Sequence, residues 1–150
     1  MKKEFVEQLT IGITNSLKDN VESKHRIKEL EDEIFDQMKA FAMSVIEVVD
    51  TTDKVISHFG ERMEGTDKIS LSIFKKYKMI QKRLLSALRQ HGIEKIEFPE
   101  NKLVFGQAEV LETEQHPDKE NEEIISVIQN GYIRGEDVIR PAKVISVKNN

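Results

Sequence analysis

Residues 27–48 read IKELEDEIFDQMKAFAMSVIEV, and the apolar members Ile27, Leu30, Ile34, Met38, Phe41, Val45 and Val48 stand 3, 4, 4, 3, 4 and 3 residues apart. The mean spacing of 3.5 is the coiled-coil period. Two successive fours around Ile34 shift the phase of the stripe, so it predicts a helix with a partner and not an uninterrupted heptad zipper. Charged residues such as Lys28, Glu29, Asp32, Glu33 and Asp36 fill the other faces. The simplest burial for a stripe this long is against the same stripe of a second copy, which makes Ile27 to Val48 the expected seam of a homodimer. The alternative is an intramolecular hairpin with the next helix.

Working outward, Phe5, Leu9, Ile13, Leu17 and Val21 repeat every four residues, but Gly12 and the cluster Thr14-Asn15-Ser16 weaken that pattern and predict a frayed or separate first helix. Downstream, Ile69, Ile73, Tyr77, Ile80, Leu84 and Leu88 mark another helix from about Asp67 to His91. Gly60 and Gly65 fall in the break before it, Asp67 suits its N-cap, and Gly92 stands where a left-handed glycine ends a helix. Two such helices from each of two chains would form a four-helix bundle.

After Gly92 the pattern changes. Residues 93–98, 108–111, 124–128 and 144–147 are short Ile/Val-rich runs separated by turn material such as Pro99-Glu100-Asn101 and His116-Pro117-Asp118. Asn130-Gly131 predicts a hairpin turn. Pro141, without an amide hydrogen, belongs at a strand start or an edge. The expected fold is therefore α+β: helices over residues 1–92, then a small β-rich, partner-binding domain over residues 93–150.

Composition agrees with this division. The 150 residues are 33% charged and only 6% aromatic, which suits long exposed helices better than a dense globular core. Residues 1–92 carry 16 Lys+Arg against 15 Asp+Glu, and residues 93–150 carry 7 against 12, giving +1 and −5 of the total −4. An acidic chain without a basic stripe argues against nucleic acid as the partner. The absence of cysteine excludes a disulfide scaffold, a thiol nucleophile and cysteine-ligated metal. No apolar run of signal or spanning length follows Met1, so a soluble, cytoplasmic protein is expected.

The chain also lacks the usual marks of catalysis. His25, His58, His91 and His116 never adopt the i, i+4 spacing of paired metal ligands, and there is no glycine-rich phosphate loop and no Gly-x-Ser-x-Gly elbow. The carboxylates from Glu109 to Glu123 read as a solvated acidic stretch. The expectation is a binding protein, neither an enzyme nor a metal or cofactor carrier.

Residues 131–147, GYIRGEDVIRPAKVISV, resemble the C-terminal signature of the GrpE family, in which a Gly-Tyr pair leads through a polar turn to an Arg-Pro-Ala-x-Val run. Residues 84–96, LLSALRQHGIEKI, are similar to the family's closing helix and first small-domain strand. Residues 45–56, VIEVVDTTDKVI, are similar to its acidic helix segment, with Asp50 at the acidic position. The resemblance implies a homodimeric co-chaperone that docks on the ATPase domain of a DnaK-type chaperone, opens the nucleotide cleft and releases ADP. It implies partner contacts at Glu109, Arg134, Asp137 and Arg140, and long helices able to act as a thermal sensor. Against the family pattern, Leu103-Val104-Phe105 replaces Phe-Asp-Pro, Ala108-Glu109-Val110 replaces His-Glu-Ala, and Asp137 stands where an arginine is common. These departures leave open a dimeric coiled-coil adaptor that has lost exchange.

Overall fold

The computed structural model describes residues 1–60 and 67–149. Gly65 lies outside the described residues. Among the described residues the fold is α+β, with two helices followed by six strands in two sheets. It divides into two compact units, residues 1–40 and residues 41–150.

Helix α1 covers Lys2–Gly60. The expected separate first helix is not found, because Gly12 and Thr14-Asn15-Ser16 lie within α1. The threonine hydroxyls donate back along the helix, Thr10 Oγ1 to the Val6 carbonyl and Thr14 Oγ1 to the Thr10 carbonyl, both at 2.8 Å. Their hydroxyls are thereby satisfied within the helix. In the first unit, Ile27, Leu30 and Ile34 point into solvent, Ile34 with 65% of its surface exposed.

In the second unit, the last part of α1 buries a different face, made by Ala42, Ile46, Val49 and Thr52. Phe41 and Val48 of the predicted stripe remain exposed there. Helix α2 covers Lys68–Gln90. Asp67 caps it as expected, its Oδ1 accepting from the amides of Ile69 at 2.8 Å and Ser70 at 2.9 Å. The hydrogen bonds from Ser70, and after them the one from Ile69, hold the Asp67 carboxyl below its ordinary value. Gly92 ends the helix with φ +74, donating to the Arg89 carbonyl at 2.9 Å. Of the predicted apolar face only Leu88 is fully buried, while Ile69 is 74% exposed and Phe74, off that face, packs inward.

Strands β1 (Ile93–Lys95), β4 (Tyr132–Arg134) and β5 (Asp137–Arg140) form an antiparallel sheet in the order β1-β4-β5. Strands β2 (Ala108–Glu114), β3 (Ile124–Gln129) and β6 (Ala142–Val147) form the second, in which β6 is central, parallel to β2 and antiparallel to β3. The predicted strand over 93–98 is found only as far as Lys95: the Ile96 amide still donates at 2.9 Å to the Gly131 carbonyl, in register with β4, and Pro99 then starts a 3₁₀ turn.

Asn130-Gly131 is not the expected hairpin turn. It carries the chain from β3 in one sheet to β4 in the other, and Pro141 carries it back from β5 to β6. The two crossings touch. A Cβ added at Gly131 would press on the Ala142 amide nitrogen and lie 2.7 Å from Ile96 Cδ1 and 2.9 Å from Ala142 Cα. Close approach of backbone to backbone, not an unusual φ, is therefore what requires glycine here. The true hairpin joins β4 to β5 through Gly135-Glu136, with Gly135 at φ +59 in the first turn position, the pattern of a II′-type turn. The core gathers around Ile124, Ala142 and Val144, with Phe98, Leu103 and Ala108 packed against it.

Gly131→Ala is expected to lower stability by about 1–3 kcal/mol through overpacking. Urea unfolding measures this, and a variant as stable as the parent would show that the crossing has room to open.

Candidate functional site

Arg140 closes β5 one residue before the Pro141 crossing, and its side chain reaches α1. Nη1 donates to Asp50 Oδ2 at 2.7 Å and Nη2 donates to Asp50 Oδ1 at 2.9 Å, a bidentate pair. Nε and Nη2 also donate to the Asn130 carbonyl at 3.2 and 2.6 Å, so one guanidinium ties both sheet crossings to the helix. Its carbon lies 5.5 Å from the centroid of the buried Tyr132 ring. The pair is nearly dry, with the Arg140 side chain 11% and the Asp50 side chain 17% exposed.

Asp53 follows Asp50 by three residues, which places it on the same helix face. It accepts from Asn130 Nδ2 at 3.1 Å and from Gln81 Nε2 of α2. Gln129 Nε2 donates to Asp50 Oδ2 at 3.0 Å. Two helices and both sheets thus meet in one polar clasp, and among the described residues no buried side-chain polar atom lacks a partner.

The two carboxyls of the clasp respond oppositely to burial. Burial acts to raise Asp50, but the hydrogen bonds from Arg140 and Gln129, with the charges of Arg140 and Lys54, carry it below the usual carboxylate value. At Asp53, burial wins over the Asn130 hydrogen bond and the Lys95 charge, and the negative charge of Asp50 adds to the upward shift. Burial, reinforced by Asp53 and then Asp50, pushes the Tyr132 hydroxyl up to about 12.

The four residues expected to contact a partner are therefore differently placed. Arg134 and Asp137 stand opposite each other as the last pair before the Gly135-Glu136 turn, both exposed. Glu109 is exposed on β2, in the other sheet. Arg140 is engaged within the chain by the clasp. Asp53, Gln81 and Gln129 were not singled out in the sequence, and Asn130 only as a turn residue; the i, i+3 pair of acids at 50 and 53 is the one signal that points to Asp53. Among the described residues no group of three or more His, Asp or Glu side chains could hold a metal, and no helix is long and apolar enough to cross a membrane.

The Arg140–Asp50 pair thus joins a small β module to helix α1 and leaves the charged hairpin of Arg134 and Asp137 exposed. The family model for GrpE matches residues 2–148, and the chain belongs to the GrpE family. Protein GrpE of Rhizobium johnstonii is 27% identical over 118 residues, covering 78% of this chain and 56% of the relative. Protein GrpE of Brucella anthropi is 28% identical over 104 residues, covering 69% and 46%. The GrpE protein homolog, mitochondrial, of Neurospora crassa is 32% identical over 126 residues, covering 75% and 50%. The chain spans about half the length of the curated relatives it matches.

Linkage fixes how the clasp responds to acid. With its native pKa lowered, Asp50 stabilises the fold above its unfolded value of roughly 4, and this is lost as pH falls through the native value. Asp53, raised, contributes below its unfolded value, and this is lost as pH rises through the native one. At pH 7 Asp50→Asn is expected to cost about 3 kcal/mol, since it leaves a nearly buried arginine unpaired. Asp53→Asn should cost less than Asp50→Asn at pH 7, and less at pH 7 than at pH 3. Urea unfolding across that range decides it; the reverse order at pH 7 would contradict the assignment.

Proposed function

We propose that this chain works as a homodimeric co-chaperone in the cytoplasm, a nucleotide exchange factor that docks on the ATPase domain of a DnaK-type chaperone and opens its cleft so that ADP leaves. The observation that carries the reading is membership of the GrpE family over residues 2–148. It is supported by the exposed hairpin that the clasp braces. Docking is assigned to Arg134 and Asp137 at the hairpin and to Glu109 on β2. Arg140 acts as a positioning residue, because its guanidinium is spent on Asp50 and the Asn130 carbonyl. The dimer is assigned to the stripe Ile27, Leu30, Ile34, Met38, Phe41, Val45 and Val48, of which Ile27, Leu30, Ile34, Phe41 and Val48 are exposed in the single chain.

The mechanism needs no catalytic side chain. A factor that binds the open, empty state of the ATPase domain more tightly than the closed, ADP-holding state weakens ADP binding by the same coupling factor. Its efficiency depends on rigidity, since a docking surface that yields cannot hold a cleft open. Asp137, an acid where an arginine is common, then calls for a cation on the chaperone surface opposite it.

Adding the purified chain to the chaperone of the same cell, loaded with labelled ADP, is expected to accelerate release; an unchanged rate would refute exchange and leave the adaptor reading. Asp137→Arg should weaken binding to that chaperone roughly tenfold or more without shifting the melting temperature. Light scattering at micromolar concentration should give a dimer mass for the parent chain and a monomer mass for Ile34→Asp; a monomeric parent would remove the stripe from the interface.

A further inference from the structure

Leu103 and Gln107 hold the two feet of a tight turn. Leu103 packs against the core around Ile124, Ala142 and Val144, and the Gln107 carbonyl accepts from the Ala142 amide at 2.9 Å. Between them the Gln107 amide donates to the Val104 carbonyl at 3.1 Å, which closes a four-residue turn with Phe105 and Gly106 at its tip. Gly106 has φ +78, the left-handed value that the third position of a type II turn demands. The backbone is thus fixed on both sides, yet Phe105 is 104% exposed, with its whole ring in water, and Val104 beside it is also exposed.

An aromatic ring wholly in solvent contributes no burial to its own fold. A binding site gains from the fixed turn beneath it, because little backbone entropy remains to be lost when the ring is buried by a partner. Aromatic anchors that fill a pocket dominate interface energetics. The surroundings specify the pocket: Glu109, Glu112 and Glu114 follow on the exposed strand β2, with Val110 and Leu111 also open to solvent.

We infer that Phe105 is an anchor residue for the chaperone, entering an apolar pocket whose rim carries lysine or arginine side chains facing Glu109 and Glu112. The inference rests on the exchange-factor reading and adds to it the residue that sets affinity. Family resemblance puts a proline where Phe105 stands, so the anchor distinguishes this chain and its chaperone from relatives.

Calorimetric titration of the nucleotide-free cognate chaperone with the full chain, its Phe105→Ser variant and its Phe105→Leu variant tests it. The expected outcome is a dissociation constant raised roughly tenfold or more by Phe105→Ser and by less with Phe105→Leu. Melting temperatures should stay unchanged. Equal affinity of parent and Phe105→Ser overturns the anchor and leaves exchange standing. A parent chain that does not bind overturns both. A fall in melting temperature for Phe105→Ser assigns the ring to the fold and overturns the anchor.

Discussion

The bidentate bond between Arg140 and Asp50 is the constraint on which the arrangement of the second unit depends. It lies where the chain passes twice between two three-stranded sheets, each at the lower limit of strand number for independent stability. By holding both the Asn130 carbonyl and a carboxylate of α1, the guanidinium fixes the crossing to the helix. Such a pair is costly to desolvate, and its contribution depends on keeping both members. That suits a joint whose purpose is a single geometry more than extra stability.

The same economy of residues appears on α1. Beyond Phe41 one face is buried within the chain by Ala42, Ile46 and Val49, while a second apolar face, including Phe41 and Val48, is left open. A helix with two apolar faces can hold its own β module and still offer a seam to another chain. The low aromatic content agrees with this, because the sheets enclose only a small core.

Much of this was legible in sequence because it is local. The Asp67 cap, the Gly92 terminus and the alternation of short apolar runs each depend on neighbours within a few residues. The separate first helix was a misreading, because Gly12 and Thr14-Asn15-Ser16 are carried inside one continuous helix, with the threonine hydroxyls bonded back to the Val6 and Thr10 carbonyls. The misplaced hairpin has a different origin. Asn-Gly satisfies the turn chemistry equally at a hairpin and at a sheet crossing, and only the contact of Gly131 with Ala142 tells them apart. The clasp was half visible: resemblance singled out Asp50 and Arg140 separately. No periodicity can join two residues 90 positions apart.

The central position of β6 carries a consequence for how the molecule is made. Among the described residues strands β2 and β3 are not paired with each other; each is paired with β6, which follows both of them in the sequence. During synthesis both therefore wait, with open edges, until residues 142–147 have left the ribosome. The helices can form as they emerge, since their bonds are local, whereas the module that α1 braces closes in one late step. A protein of this design would be, for the time of its own translation, a chain with unpaired strands, the kind of species that chaperones receive.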